Sequence, residues 1–222
     1  IMQSLDQREL THETIVLLTA DHGLAMPGAK CTLYDGGIEI YGMLRWPGKI
    51  PAGQRSRDLI SNVDMLPTLL EMAGADDRTG MDGVSFWPRI TGDATPPRDV
   101  LFAEKTYHSY YDPMRCIRTL HDKFIVNFER TPQLEIPGDA MTSDTFADLD
   151  TQLFRGPHPQ WEYYNLDEDP QERQPITEIN PTIRQRMQQL LQWMRDTEDP
   201  LCAGFIPTPH ALQPLEERIG LM

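Results

Sequence analysis

The first clear pattern in the chain is an apolar run, Ile15-Val-Leu-Leu18, that ends at Asp21-His22-Gly23. A short β-branched apolar run predicts a buried strand over residues 14–20. In open α/β sheets, ligands bind beyond the carboxyl ends of the strands, so Asp21 and His22 stand where a site is expected. Carboxylate oxygen and imidazole nitrogen are both metal-ligand atoms, but Asp and Gly also form turns. A strand-end cap without a metal is therefore the alternative.

Further strands follow from runs of apolar residues between polar turns. One is predicted over residues 36–46, where Gly36 and Gly37 would let the chain turn back into the strand and a Trp-Pro-Gly turn would end it. Four more are predicted in the second half of the chain, where short polar turns separate them and favour an antiparallel meander. These four cover residues 100–104, 114–119, 123–128 and 162–166.

Two helices are predicted from apolar residues at helical spacing. The first begins at Ser61 or Asn62 and ends at Gly74, a residue type that suits a helix exit. Its predicted apolar positions are Met65, Leu66, Leu69, Leu70 and Met72. The second is capped by Asn180, with Pro181 at its first position. Its predicted buried stripe is Ile183, Met187, Leu190, Leu191 and Met194.

Residues 75–97 are rich in Gly, Asp and Pro and are typical of loop and linker. The sequence therefore predicts one domain over residues 1–97 and a second over residues 98–222. The segment from residue 132 to residue 159 is predicted to wrap the surface, and the tail after Pro200 to be extended.

Charge and cysteine content exclude several classes of protein. The 222 residues carry a net charge of −14, which argues against nucleic-acid binding because phosphate contacts need a basic surface. No run of eighteen apolar residues occurs, so no membrane span is predicted. The three cysteines, Cys31, Cys116 and Cys202, show no CxxC spacing, which excludes a zinc ribbon or redox pair. The chain starts at Ile1 without a signal-like segment, so we expect it to begin within a longer protein.

The most specific motifs lie close to Gly23. They are Lys30-Cys-Thr-Leu-Tyr-Asp-Gly-Gly37 and Leu44-Arg-Trp-Pro-Gly48. Together with Asp21-His22-Gly23, they resemble the sulfatase family of the alkaline phosphatase superfamily, in its C-terminal portion. The resemblance continues at residues 63–70, 73–74, 82–85, 118–125 and 164–170. It is greatest to the sulfamidase branch, through residues 102–115, 145–148, 161–164, 169–172 and 199–202.

The resemblance implies an α/β fold. Residues 1–97 would form the C-terminal part of an alkaline-phosphatase-like mixed sheet with flanking helices, within the sulfatase catalytic domain. Residues 98–222 would form a small antiparallel-sheet α+β subdomain with a packing helix and an extended tail.

Asp21 and His22 are implied as two ligands of a divalent cation, usually calcium in the family. The remaining ligands would be aspartates that lie earlier in the family's sequence. Calcium prefers oxygen, whereas imidazole suits transition metals, so manganese or zinc stays open.

Lys30 corresponds to the family's basic residue that contacts the sulfate oxygens, where a fixed positive charge stabilises the transferring group. A solvated surface lysine is the alternative for this residue. His108 lies among tyrosines after a predicted strand, and the resemblance implies substrate binding. A packed or surface histidine is its alternative reading.

No residue of this chain fits the family's nucleophile, a formylglycine made from the Cys or Ser of Cys/Ser-x-Pro-x-Arg. We expect the formylglycine in the missing N-terminal half, and we expect the chain to be inactive alone. The whole enzyme would hydrolyse a sulfate ester or N-sulfate on a sugar, as in glycosaminoglycan degradation. Two alternatives remain: phosphomonoester, phosphodiester or phosphonate hydrolysis within the superfamily, and a non-catalytic carbohydrate-binding pseudo-enzyme.

The expected partners are a sulfated carbohydrate and the N-terminal half of the same enzyme, with no nucleic acid and no membrane. A homodimer is also compatible with the sequence. The resemblance implies a periplasmic, secreted or lysosomal location, while the sequence itself carries no targeting signal.

Overall fold

A computed structural model describes residues 1–75, 79–93, 96–129, 135–148, 156 and 159–203. The chain divides into two compact units, and each is formed from two stretches of sequence. The first unit combines residues 1–21 with residues 40–101, and the second combines residues 22–39 with the chain from residue 102 onwards. The domain division between residues 97 and 98 stays a prediction.

Both units contain helices and strands. In chain order, the described residues form α1 (Met2–Gln7), β1 (Val16–Thr19), α2 (Asp35–Ile38), β2 (Gly42–Arg45), α3 (Met65–Met72), α4 (Trp87–Thr91), β3 (Leu101–Tyr107), β4 (Tyr111–Arg118), β5 (Asp122–Asn127), α5 (Gly138–Met141), α6 (Asp144–Ala147), β6 (Trp161–Asn165) and α7 (Pro181–Asp196). Short 3₁₀ turns cover Asn62–Asp64 and Pro200–Ala203.

In the first unit, β1 and β2 pair antiparallel, with Val16 opposite Arg45. The strand predicted before Asp21 is therefore confirmed. Its predicted burial is wrong within this chain, because Leu18 is 52% exposed. A two-stranded ribbon covers too little of either face to bury its side chains.

The helix predicted from Ser61 is confirmed as a 3₁₀ turn followed by α3. The backbone N–H of Ser61 donates to the Asp64 carboxylate at 2.7 Å, and Gly74 leaves the helix with φ at +79°. Leu66, predicted as part of the apolar face, is exposed. The helix α4 lies within the stretch predicted as linker.

The strand predicted over residues 36–46 is only partly correct. The structure has β2 at its end, but residues 35–38 form the helical turn α2. Ile38 and Ile40 have high β-propensity, but Gly37 lies close to the backbone near Ala29, and this contact favours the helical turn over a strand.

The second unit contains a four-stranded sheet in the order β3–β4–β5–β6. The β4–β5 and β5–β6 pairs are antiparallel, with Cys116 opposite Ile125 and Ile125 opposite Glu162. The predicted meander is confirmed. Its apolar core includes Leu33, Met114, Cys116, Ile125, Tyr164 and Leu166.

The long helix α7 begins as predicted, since the Asn180 side chain accepts the backbone N–H of Ile183 at 2.9 Å. Ile183, Leu190 and Met194 are buried. The prediction was wrong for Met187 and Leu191, which are exposed, because the helix buries a narrower seam than its full apolar stripe.

No helix in the described part of the chain is both long and apolar enough to cross a bilayer. The tail after Pro200 is predicted to be extended, but its described part, up to Ala203, forms a 3₁₀ turn, and the rest lies outside the described residues. The segment predicted to wrap the surface is described only in part, and there Glu135, Ile136 and Ala140 are buried.

Candidate functional site

The loop that carries Lys30 is closed by its own backbone hydrogen bonds. The N–H of Gly23 donates to the carbonyl of Gly37 at 2.8 Å, and the N–H of Leu24 donates to that of Gly36 at 3.0 Å. The N–H of Lys30 donates to the carbonyl of Leu24 at 3.1 Å. These hydrogen bonds hold the two ends of the loop together and fix the backbone position of Lys30.

Two glycines in this loop are required by close contacts. A Cβ at Gly23 would lie 2.2 Å from the Gly36 carbonyl oxygen, and one at Gly37 would lie 2.3 Å from that of Ala29. The turn into a strand predicted at Gly36 and Gly37 is wrong. Gly37 lies in α2 instead, where the absence of a side chain lets the two backbones meet.

A buried ionic network fixes the end of the loop to the sheet. The Lys123 ammonium lies 2.6 Å from Asp35, 2.7 Å from Glu172 and 3.0 Å from the Leu33 carbonyl. Arg118 binds both Asp35 oxygens, at 2.9 and 2.8 Å. Burial alone would raise the pKa of Asp35, but these cations lower it to about 2.

The Lys30 side chain is largely buried, with 17% exposed, and its ammonium lies 2.7 Å from the Asp139 carboxylate in the first turn of α5. This hydrogen bond lowers the pKa of Asp139. Lys30 is thus an ion-paired lysine of intermediate exposure, and its role in binding sulfate stays a prediction. Its negative partner, Asp139, carried no signal in the sequence.

His108, 44% exposed, is held by a buried carboxylate. Its Nδ1 lies 2.9 Å from Oε1 of Glu135, which also accepts the backbone N–H of Ser109 at 2.7 Å. The other Glu135 oxygen lies 3.1 Å from the ammonium of Lys105, which also contacts Asp112 at 2.7 Å. Burial would raise the pKa of Glu135, but the Ser109 N–H and Lys105 lower it. A carboxylate on Nδ1 fixes the imidazole orientation and directs Nε2 away from Glu135.

Cys31 brings the Lys30 loop and His108 together. Single ligand-type atoms of Cys31, His108 and Glu135 all lie within 4.8 Å of one another. Sequence reasoning missed Glu135 and gave Cys31 no role. Its only available signal for Glu135 was an acidic residue between apolar Leu134 and Ile136.

Asp21 belongs to the first unit, whereas His22, Lys30 and His108 belong to the second. Asp21 is exposed and follows β1, as predicted. His22 is half-buried, and its Nδ1 lies 2.8 Å from the Gly23 carbonyl, an acceptor, so Nδ1 is the donor in this contact.

Arg115, from the Pro-Met-Arg motif of β4, is buried and structural. Its guanidinium contacts both Asp199 oxygens, at 2.6 and 3.3 Å, and the Lys105 carbonyl at 2.9 Å. The motif therefore joins the sheet to the 3₁₀ turn after α7.

The known proteins that are similar to this chain are named as sulfatases or sulphohydrolases. Residues 28–135 match the family described as N-sulphoglucosamine sulphohydrolase, C-terminal. An ulvan-active sulfatase of Formosa agariphila is 29% identical over 211 residues, covering 90% of this chain and 41% of that protein. Human N-sulphoglucosamine sulphohydrolase is 25% identical over 235 residues, covering 91% of this chain and 46% of that protein. The chain spans less than half the length of these relatives.

The fold has close counterparts among solved structures. One, of a protein in complex with its substrate D-glucosamine-2-N,6-O-disulfate, superposes with a TM-score of 0.63 at 22% identity. The match covers 89% of this chain and 36% of that chain. The predicted α/β fold is confirmed by this likeness.

Proposed function

Since the chain belongs to the sulfatase family and corresponds to its C-terminal portion, we propose that the whole protein hydrolyses a sulfate ester or N-sulfate on a sugar. The observation that carries the proposal is the closed loop of the second unit that carries Lys30, whose next residue, Cys31, lies close to His108. The substrate bound by the structural relative, an N- and O-sulfated glucosamine, supports this substrate class.

In this proposal, the Lys30 ammonium binds the sulfate oxygens and stabilises the negative charge of the transferring sulfuryl group. In the chain as it stands, this charge is neutralised by Asp139 at 2.7 Å. A sulfate group would compete with an exposed carboxylate for the lysine. Binding of substrate would therefore release Asp139 from Lys30.

His108 would bind the sugar or its sulfate through Nε2. The buried Glu135 holds Nδ1, so the imidazole needs no reorientation when substrate arrives. This fixed geometry favours a role in binding over that of an ordinary surface histidine.

We further propose that Asp21 and His22 supply two ligands of a divalent cation, with calcium as the first choice and manganese or zinc as alternatives. Asp21 offers a carboxylate oxygen and His22 an imidazole nitrogen, and the Gly23 carbonyl on Nδ1 orients the half-buried ring of His22. When bound, such a cation polarises the sulfuryl group. The formylglycine nucleophile and the other ligands would come from the part of the protein outside this chain, which would be inactive alone.

The test uses the whole protein with N-sulfated and 6-O-sulfated glucosamine as substrates, and measures released sulfate by ion chromatography. We expect Lys30→Ala to lower kcat by about 10² to 10³-fold, because a charge that stabilises the transition state is lost. Lys49→Ala is the matched control, since this exposed lysine lies in the other unit and should leave turnover unchanged.

Other outcomes distinguish the alternatives. Wild-type turnover in Lys30→Ala would remove this lysine from the mechanism. Release of phosphate from phosphate esters without release of sulfate would favour the phosphohydrolase alternative. Binding of sulfated sugar without hydrolysis would favour a non-catalytic carbohydrate-binding protein.

A further inference from the structure

Three side chains from distant parts of the second unit converge at the residue that follows Lys30 in the sequence. They are Cys31, His108 and Glu135, and one ligand-type atom of each lies within 4.8 Å of the others. Sulfur, imidazole nitrogen and carboxylate oxygen are the donors that zinc takes in proteins. We propose that this cluster is a binding site for a transition-metal dication such as Zn²⁺, separate from the cation site proposed at Asp21 and His22.

Glu135 is oriented for this role before any metal binds. Its side chain is buried, and Oε2 lies 3.1 Å from the Lys105 ammonium. Oε1 accepts the Ser109 N–H at 2.7 Å and faces His108. A ligating carboxylate supported by its own hydrogen bonds is typical of metal sites, where the surrounding groups fix the ligand orientation.

Cys31 is also held in place by its backbone. Its φ is +71°, a left-handed conformation that non-glycine residues rarely adopt. The turn is stabilised by Thr32, whose N–H and hydroxyl both donate to the Ala29 carbonyl, at 3.0 and 2.7 Å. Strained backbone of this kind is concentrated at functional sites.

Metal binding at Cys31 requires loss of the thiol proton, because the thiolate is the form of cysteine that ligates metals. The bound dication would replace this proton and balance the negative charge of Glu135.

The donor set also selects the class of metal. Calcium and magnesium bind through oxygen, whereas thiolate and imidazole select zinc, cobalt and related ions. Three protein ligands leave a fourth tetrahedral position open. If the proposed function holds, on which this consequence rests, zinc bound between His108 and Glu135 would replace the Nδ1 hydrogen bond that orients the imidazole and would inhibit the sulfatase by disturbing substrate binding.

The test uses the whole protein, stripped of metal and titrated with Co²⁺, whose thiolate complexes give a charge-transfer absorption band in the near ultraviolet. We expect a saturable band that disappears in Cys31→Ser. In Glu135→Gln the cobalt affinity should fall at least about tenfold, because one ligand is weakened. Cys202→Ser is the matched control and should keep the band, since Cys202 is exposed and lies outside the cluster. Asp21→Ala should also keep it.

A band that survives Cys31→Ser, or no band at all, would overturn the proposal. Circular dichroism of Cys31→Ser establishes that the variant is folded, so loss of the band reports loss of the ligand. The cobalt measurement needs no catalytic activity and stands even if the protein releases no sulfate. If sulfate is released, Zn²⁺ should inhibit the wild-type protein but not Cys31→Ser, and equal inhibition of both would place the inhibitory zinc elsewhere.

Discussion

The two units of this chain differ in how completely their strands are buried. In the second unit, β4 and β5 bury nearly every side chain, including Ile117 and Phe124. In the first, Leu18 of β1 and Met43 of β2 are more than half exposed. A four-stranded sheet covered by a long helix can bury a core, whereas a two-stranded ribbon cannot.

The difference matters because the candidate site depends on the better-packed unit. Leu33 lies in the apolar core of the sheet, and Asp35 lies in the ionic network with Lys123. Between them and Gly23, the chain makes the turn that carries Lys30. The second unit thus holds the Lys30 loop by two contacts, the apolar packing of Leu33 and the ion pair of Asp35.

The strongest test of this comparison removes the buried cation. Lys123→Met should lower the free energy of unfolding of the second unit by about 4 to 5 kcal/mol, because two buried carboxylates lose their partner. Lys49→Met, an exposed lysine of the first unit, should change it by less than about 0.5 kcal/mol. Guanidinium denaturation with peptide-resolved hydrogen exchange measures each unit separately. If the two substitutions change the free energy of unfolding equally, the buried ionic network does not stabilise the second unit.

A second test compares one apolar residue from each of the two sheets. Phe124→Ala should cost about 3 to 4 kcal/mol, since the ring is fully buried and its loss leaves a cavity. Leu18→Ala should cost less than about 1 kcal/mol, because half of that side chain already faces solvent. The same exchange experiment reports both. A large cost at Leu18 would mean that the first unit packs more tightly than its exposed strands indicate.

Much of this fold follows from local sequence signals. Asn180-Pro181 predicts the start of α7, and the alternating polar turns identify the meander. Failures arose where long-range contacts decide the outcome. Met187 and Leu191 are apolar at helical spacing, yet the helix meets the sheet along a narrower seam than its stripe. Ile38 has high β-propensity, but contact between Gly37 and Ala29 favours a helical turn.

The candidate site divides in the same way. Lys30 and His108 could be proposed from the sequence because each belongs to a contiguous motif, and their roles stay predictions. Cys31, Glu135 and Asp139 could not, because their significance is spatial proximity across about one hundred residues of sequence. Spacing along the chain carries no signal for such contacts, so only the folded structure reveals the carboxylates that hold the two predicted residues.

The smallest expected effect is a pH dependence at Asp35. Its folded-state pKa, about 2, is below its ordinary value of 3.8, so its ionised form stabilises the second unit. That stability is fully present above about pH 4 and is lost as the pH falls towards 2. Asp35→Asn should be less stable at neutral pH, and its unfolding free energy should fall less steeply between pH 4 and 2.

The matched control for Asp35 is Asp58→Asn in the first unit, where the Ser56 hydroxyl and then Arg89 lower the carboxyl pKa. Because Arg89 is exposed, this variant should flatten the curve less than Asp35→Asn. Acid titration of denaturant midpoints measures both variants against the wild-type chain. If the unfolding free energies of Asp35→Asn and the wild-type chain fall in parallel between pH 4 and 2, the ionic network does not distinguish the second unit. The stability of that unit at low pH would then come from apolar burial alone.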